Sequence, residues 1–193
     1  MKPASYLLSV LSVLLLTLTG CERPATPVAT NGEAAYNLTA YLQEQQQMLQ
    51  AQKPTVLKSV QTEDKPVETI ETDSLDWVDE LAIFEELDLN RPTLLEYYTL
   101  KETALDDGGT LLTYTRLPDA AALVHYMQLH LSEDRKLRKL EGVIQDKNIL
   151  FYTSRNLKLE ANPTTGNVES YEVDGVQKLF FGDSLHYRIV AHL

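Results

Sequence analysis

The chain has 193 residues, a formal net charge of −11 and one cysteine. Its length fits a single domain, which can bury enough surface to fold without disulfides or a structural metal. One cysteine excludes an internal disulfide and a cysteine-rich zinc site. The excess of 28 acidic over 17 basic residues argues against nucleic acid or an anionic membrane surface as a partner.

The first twenty residues have the composition of an export signal. Lys2 precedes an apolar run from Leu7 to Leu18, which is shorter than the roughly 20 residues that span a bilayer. The only cysteine, Cys21, follows directly after Leu-Thr-Gly. This arrangement resembles the lipobox of bacterial lipoproteins, and the resemblance implies cleavage before Cys21, diacylglycerol on its sulfur and acylation of the new amine. An ordinary secretory signal is the alternative.

The same resemblance predicts where the protein is located. Two or three acyl chains anchor a protein stably to a membrane, whereas one chain is marginal. By resemblance to lipoprotein sorting, Glu22 in place of an aspartate favours the outer membrane over the inner one, and the membrane face stays open. We therefore expect a signal peptide over 1–20, an acylated cysteine with a flexible, Pro- and Thr-rich tether over 21–32, and one domain over 33–193.

A helix and a hairpin are predicted in the first part of this domain. Apolar residues recur with a 3.6-residue period over 33–52, with the glutamines 45–47 assigned to the polar side. Pro54 lies just beyond the predicted end of the helix. Residues 55–72 alternate in polarity around a turn and predict two paired strands.

A second helix is predicted over 74–88. Asp73 or Ser74 can cap its first turn, and acidic residues near that end suit the helix dipole. One apolar stripe runs along it, formed by Trp77, Leu81, Phe84 and Leu87. We expect this stripe to face the sheet.

From residue 94 onward the pattern predicts β-structure, with residues 119–131 ambiguous between helix and strand. The short separators are rich in Asp, Gly, Asn and Ser, which predicts antiparallel neighbours. Asp174-Gly175 is typical of a tight hairpin turn between two strands. In the last strand, residues 185–193 alternate between a dry face and a wet face. The predicted strands are 94–105, 110–117, 123–131, 136–144, 149–161, 168–174, 176–181 and 185–192.

Together these patterns predict an α+β fold. We expect an antiparallel β-meander of about eight strands in a curved sheet, with two N-terminal helices packed on one face. No cofactor or metal is predicted, because the chain carries no motif for nucleophilic catalysis, zinc-dependent hydrolysis, phosphate binding or dinucleotide binding. We therefore expect a protein that is not an enzyme.

Tyrosines are the candidates for a binding surface. Tyr98, Tyr114, Tyr126 and Tyr152 all lie on predicted strands, and a phenol ring with a polar tip suits either the edge of a core or an exposed contact surface. For Tyr98 and Tyr114, which share their faces with Leu100 and Leu112, core-edge packing is the favoured interpretation and a binding face is the alternative. Ser74 and Ser184 lie in two Asp-Ser-Leu triplets that resemble a short O-glycosylation signal of exported bacterial proteins.

Further stretches resemble a group of small bacterial membrane lipoproteins with no assigned activity. They are residues 36–42, 56–60 and 76–84, with 88–92 and Tyr97 behind the third. The resemblance carries over no catalytic residue. It supports the anchor and the order of α and β elements, and it leaves the function open. The anchor, the missing catalytic motifs and the acidic, tyrosine-bearing surface favour a non-enzymatic envelope lipoprotein that binds or scaffolds another envelope component. Two alternatives stay open: a carrier of lipid or another apolar ligand in a half-barrel, and an enzyme of unrecognised type.

Overall fold

Nine strands form one antiparallel sheet in the computed structural model, which describes residues 35–179 and 181–193. The predicted signal peptide, Cys21 and the tether lie outside the described residues. The helices are α1 (Leu38–Gln52), α2 (Trp77–Glu85) and α3 (Pro92–Leu95). The strands are β1 (Val56–Thr62), β2 (Glu68–Thr72), β3 (Tyr98–Ala104), β4 (Thr110–Arg116), β5 (Val124–Leu131), β6 (Leu137–Lys147), β7 (Phe151–Ala161), β8 (Val168–Leu179) and β9 (Ser184–His192).

The strand order is β2-β1-β9-β8-β7-β6-β5-β4-β3, and every neighbouring pair is antiparallel. Strands β3 to β9 form a meander, and the hairpin of β1 and β2 joins it beside β9. The α+β class, the meander and the N-terminal hairpin are confirmed. The meander has seven strands in place of about eight, because the predicted strands 168–174 and 176–181 form one strand, β8. The ambiguous stretch 119–131 contains β5 and no helix.

Side chains alternate between two faces of the sheet. The inner face carries the core, with Leu140, Leu159 and Ala191 fully buried, and the helices cover it. The outer face carries the alternate residues, which are mostly polar and are half-buried or exposed. The predicted alternation of 185–193 is confirmed from Tyr187 onward, because Ala191 is buried and Tyr187, Ile189 and Leu193 pack against the same core. Leu185, predicted on the dry face, is exposed.

Helix α1 begins at Leu38, where the Asn37 side chain accepts a hydrogen bond from the amide of Ala40. The assignment of the glutamines to a polar side was wrong for two of them, since Gln45 and Gln46 are buried. Gln45 Oε1 accepts a hydrogen bond from the Val168 amide at 2.9 Å, and Gln46 Nε2 donates to Glu85. Each amide therefore joins α1 to another element, which permits its burial.

Helix α2 is capped by Asp76, whose carboxylate accepts from the amides of Val78 and Asp79, so the prediction of Asp73 or Ser74 as the cap was wrong. The predicted stripe is confirmed, because Trp77, Leu81, Phe84 and Leu87 are all buried. The contact between the turn after α2 and the sheet is close. A Cβ atom on Gly142 of β6 would lie 2.5 Å from a Leu87 methyl carbon.

The predicted turn at Asp174-Gly175 was also wrong. Both residues lie inside β8, and Gly175 pairs with Arg155 on one side and Tyr187 on the other. A Cβ atom at position 175 would lie 2.2 Å from the Tyr187 ring. Gly175 is therefore a packing glycine that lets this ring lie on the inner face.

Residues 94–97, predicted as the start of a strand, belong instead to α3 and the turn after it, and β3 begins at Tyr98. Pro92 occupies the first position of α3, where the missing amide hydrogen of a proline breaks no helical hydrogen bond. The proline therefore begins a helical turn there, and the extended pattern starts later than predicted.

One polar cluster ties α2 to the inner face. The Glu80 carboxylate lies 2.6 Å from Lys58 Nζ of β1 and accepts a hydrogen bond from the Tyr171 hydroxyl of β8. Burial, with the Glu80 charge as a smaller cause, raises the pKa of Tyr171, so the phenol stays protonated and donates. Tyr171 also meets Phe84 edge to face, with ring centroids 6.0 Å apart.

Candidate interaction surface

The four candidate tyrosines separate into two pairs. Tyr98 and Tyr114 are buried on the inner face, with 9% and 2% of their surface exposed. The Tyr98 hydroxyl donates to the Val124 carbonyl at 2.8 Å, and burial raises the pKa of both phenols. Core-edge packing is therefore confirmed for these two residues, and the alternative of a binding face is wrong for them, because their rings lie in the core.

Tyr126 and Tyr152 lie on the outer face and are half-buried. Tyr126 sits between Thr115 of β4 and Val143 of β6. Tyr152, near the start of β7, sits between Lys147 of β6 and Lys178 of β8. The structure thus places the two rings in different surroundings, one beside uncharged neighbours and one between two cations.

The centre of the outer face is electrically balanced. Three cations and three carboxylates form close ion pairs there. The pairs are Lys139–Glu141 at 2.8 Å, Lys158–Glu160 at 2.7 Å and Arg188–Glu172 at 2.7 Å. The hydrogen bond from Lys158 holds the pKa of Glu160 below its usual range. Because these charges satisfy one another, the centre of this face has the character of a solvated surface.

An apolar patch lies at one end of the sheet. The β6–β7 turn and the β8–β9 turn lie side by side there, because Phe151 at the start of β7 pairs with Leu179 at the end of β8. Ile149 is 85% exposed and Phe181 is 93% exposed. We call this patch the apolar tip and define it as Ile149, Leu150, Phe151, Leu179 and Phe181. Large exposed apolar side chains in contiguous positions are typical of an interaction site.

Asn148 holds the first turn of the apolar tip in shape. Its side-chain oxygen accepts hydrogen bonds from the amides of Leu150 and Phe151, at 2.8 and 3.0 Å. The backbone amide of Asn148 donates to the Phe151 carbonyl at 2.9 Å. One polar side chain thus supplies the turn chemistry, and Ile149 and Leu150 project from an ordered turn.

Two lysines lie one step behind the apolar tip. Lys147, Tyr152 and Lys178 form a row across β6, β7 and β8 on the outer face, and both lysines are exposed. We call this row the Lys-Tyr-Lys row. A cleft of about 300 Å³ lies beside it, lined by these three residues together with Asn148 and residues of the apolar tip.

The sequence analysis missed the apolar tip because it included Ile149 and Leu150 in a strand. Two apolar residues satisfy a strand pattern as well as a turn, and Asn148 alone marks the reversal. The available signal was that asparagine, placed between two long runs of β-forming residues. Ser74 and Ser184, in the two Asp-Ser-Leu triplets, are exposed and half-buried respectively, and their modification stays a prediction.

In residues 35–179 and 181–193, no group of three or more His, Asp or Glu side chains could hold a metal ion. Within the same residues, no helix combines the length and apolar composition needed to cross a bilayer. Comparison of the chain with known protein families, with curated protein sequences and with solved structures finds no match. The resemblance to small bacterial lipoproteins therefore stays a prediction.

Proposed function

We propose that the chain is a lipid-anchored envelope protein without catalytic activity, which binds or scaffolds another envelope component through the apolar tip. The observation that supports this proposal is the exposure of Ile149 and Phe181, at 85% and 93%, on two adjacent turns of the sheet, whereas no other large apolar side chain of the described residues is more than 64% exposed. An exposed patch of this kind has a physical use when another apolar surface covers it.

The anchor in this proposal is the acylated Cys21, in the outer membrane. The tether would join the domain at the end of the sheet opposite the apolar tip, because the Tyr41 hydroxyl of α1 donates to Gly166 in the β7–β8 turn. Strand β7 has 11 residues and therefore separates the two ends by about 36 Å. The fourteen residues 21–34 reach at most about 50 Å when extended. The apolar tip can therefore contact a component well separated from the point of attachment.

The carrier alternative receives less support from the packing. A carrier needs a cavity between the helices and the inner face, and the residues at that position fill it. Leu42, Leu81, Phe84 and Leu87 are fully buried, and Leu87 touches the backbone at Gly142. Native mass spectrometry of the full chain tests this alternative, since a stoichiometric bound lipid would favour it over the scaffold proposal.

Two experiments test the proposed function. Fractionation of the Cys21→Ala variant tests the anchor: we expect loss from the membrane fraction, and retention there would contradict an acyl anchor. Crosslinking in intact membranes tests the apolar tip. A photoreactive group at Leu150 should crosslink to an envelope component, whereas the same group at Thr164, in the turn at the other end of β7, should not. Equal crosslinking from both positions would overturn the assignment of the tip as the contact surface.

A further inference from the structure

We infer that the apolar tip docks on the interface of a phospholipid bilayer, with its apex at the boundary of the acyl chains and the Lys-Tyr-Lys row at the level of the lipid phosphates. This inference deepens the proposed function and depends on it, because it takes the apolar tip as the contact surface and names the component it meets.

Apolar residues lie at the apex of the hairpins, and the Lys-Tyr-Lys row lies behind them. Ile149 and Leu150 occupy the apex, and Tyr152 lies two residues behind Leu150, which is about 7 Å along a strand. Apolar groups of proteins that lie in a membrane interface enter to about 5–10 Å. The distance from the apolar apex to the Lys-Tyr-Lys row therefore lies within this depth range, so the apex can reach the acyl boundary while the row stays in the polar layer.

The side chains of the Lys-Tyr-Lys row are of the types that suit a membrane interface. Tyrosine is enriched at membrane interfaces because its ring is apolar and its hydroxyl polar. Lysine side chains lay their apolar stems along an apolar surface and place the ammonium group in the polar layer. Lys147 and Lys178 flank Tyr152 directly on the neighbouring strands. Each ammonium group is complementary to a lipid phosphate, which every phospholipid carries.

The region of the apolar tip carries no net charge. Within three residues of the apolar tip along the chain, the charged residues are Lys147, Lys178, Asp146 and Asp183, so their charges sum to zero, whereas the whole chain carries −11. Anionic lipid would repel the acidic body of the domain. The geometry therefore favours a bilayer of zwitterionic lipid. A tip region with no net charge has no electrostatic attraction to an anionic bilayer, in agreement with the acidic charge of the whole chain.

A matched pair of labelled variants tests the inference. In the full chain extracted from membranes, Leu150→Cys and Thr164→Cys each receive an environment-sensitive nitrobenzoxadiazole label. The proteins are then incorporated into phosphatidylcholine vesicles with and without nitroxide-bearing lipid. The positions correspond, because Leu150 and Thr164 each donate their amide to an asparagine side chain two residues earlier. We expect the label at position 150 to shift to shorter wavelength and to be quenched, and the label at 164 to show neither change.

Charge reversal supplies a second variant. Lys147→Glu with Lys178→Glu, in the Leu150→Cys chain, should lose most of the quenching, because carboxylates are repelled from the phosphate layer. Thr103→Glu with Lys101→Glu, on the distant strand β3, adds two negatively charged side chains at exposed sites and should leave the quenching unchanged. Circular dichroism and the urea midpoint must match the parent chain for each variant, so that a loss of quenching reports docking and not unfolding.

The outcomes separate the inference from the proposed function. Absence of quenching at 150, with crosslinks from the same position to an envelope protein, overturns the bilayer as partner and leaves the tip as a contact surface. Absence of both overturns the two proposals together. Labelling of the parent chain, whose only cysteine is Cys21, would contradict acylation, and the quenching measurement then proceeds in a Cys21→Ser background and still decides the inference.

Discussion

Two turns at opposite ends of β7 share the hydrogen-bond pattern of one asparagine side chain, but the side chains that they expose differ in polarity. In the β7–β8 turn, Asn162 accepts hydrogen bonds from the amides of Thr164 and Thr165, both at 2.9 Å. In the β6–β7 turn, Asn148 accepts from Leu150 and Phe151 in the same pattern. The first turn exposes threonines, and the second exposes isoleucine and leucine.

The difference shows that the turn framework does not require the apolar residues. Threonine occupies the equivalent position at the other end of the strand, so the fold tolerates polar side chains there. Ile149 and Leu150 therefore expose apolar surface that the hydrogen bonds of their turn do not require, and a contact outside the domain would remove that surface from water. Substitutions in the covered core should therefore cost far more stability than substitutions in this exposed tip.

Truncation in the core gives the largest effect. Phe84→Ala removes a fully buried ring that packs on Tyr171, and we expect the free energy of unfolding to fall by about 3–5 kcal/mol. Urea denaturation followed by circular dichroism measures this loss. A fall below about 1 kcal/mol would contradict the role of α2 as the cover of the inner face.

Gly175→Ala should destabilise the protein by about 1–3 kcal/mol, because the new methyl group overlaps the Tyr187 ring. The same substitution in a Tyr187→Ala background is the control. There the overlap is absent, and the added cost of Gly175→Ala should shrink to a fraction of its value. An equal cost in both backgrounds would show that the ring is not the reason for the glycine.

Gln45→Ala should cost about 1.5 kcal/mol, since it leaves the buried amide of Val168 without its partner. Gln47→Ala, on the exposed side of the same helix, is the matched control and should change the free energy of unfolding by less than about 0.5 kcal/mol. Thermal or urea unfolding of the two variants compares a buried and a solvated amide. Similar values for both would contradict the buried position of Gln45.

Alkaline pH should destabilise the end of the domain near the start of α1. Burial raises the pKa of Tyr36 to about 12, and burial also raises that of Tyr41. The unfolded chain loses these protons from about pH 10, so the stabilisation is complete below pH 10 and is lost as the pH rises toward 12. Urea unfolding at increasing pH, with phenolate absorbance followed at the same time, measures this effect. The double variant Tyr36→Phe with Tyr41→Phe should lose less of its free energy of unfolding over the same pH range.

The smallest effect is expected at the apolar tip. Ile149→Thr with Leu150→Thr should change the free energy of unfolding by less than about 0.5 kcal/mol, because both side chains are exposed and Asn148 keeps its hydrogen bonds. Urea denaturation measures it. Destabilisation above about 2 kcal/mol would show that the tip packs against its own domain, which would remove the reason to seek an external partner.

The sequence pattern predicted the elements whose periodicity is strong. The stripe of α2 and the alternation in β9 are both read correctly, since each follows from one face being buried. The sequence pattern gave wrong predictions for residues whose burial or role depends on a single contact with a distant part of the chain. Gln45 is buried because of a strand 123 residues away, and Gly175 serves the ring of Tyr187 and not a turn.

The candidate surface was predicted less well. Tyr98 and Tyr114 share their polarity with surface tyrosines, and only the position of the helix layer separates them from Tyr152. Ile149 and Leu150 are residue types that are common in strands. Their exposure follows from where β6 ends and β7 begins, and residue type alone does not predict it. Cys21 and the resemblance to lipoproteins stay predictions from the sequence.

The position of β9 has a consequence for how the domain forms. This last strand lies between β1 and β8, so that Leu57 pairs with His192, 135 residues later in the chain. The early hairpin of β1 and β2 has no place in the sheet until β9 arrives. Closing so long a loop is an entropic cost met before the contacts form, which slows folding. Until nearly the whole chain is available, the sheet lacks β9, and β1 and β2 cannot join the meander.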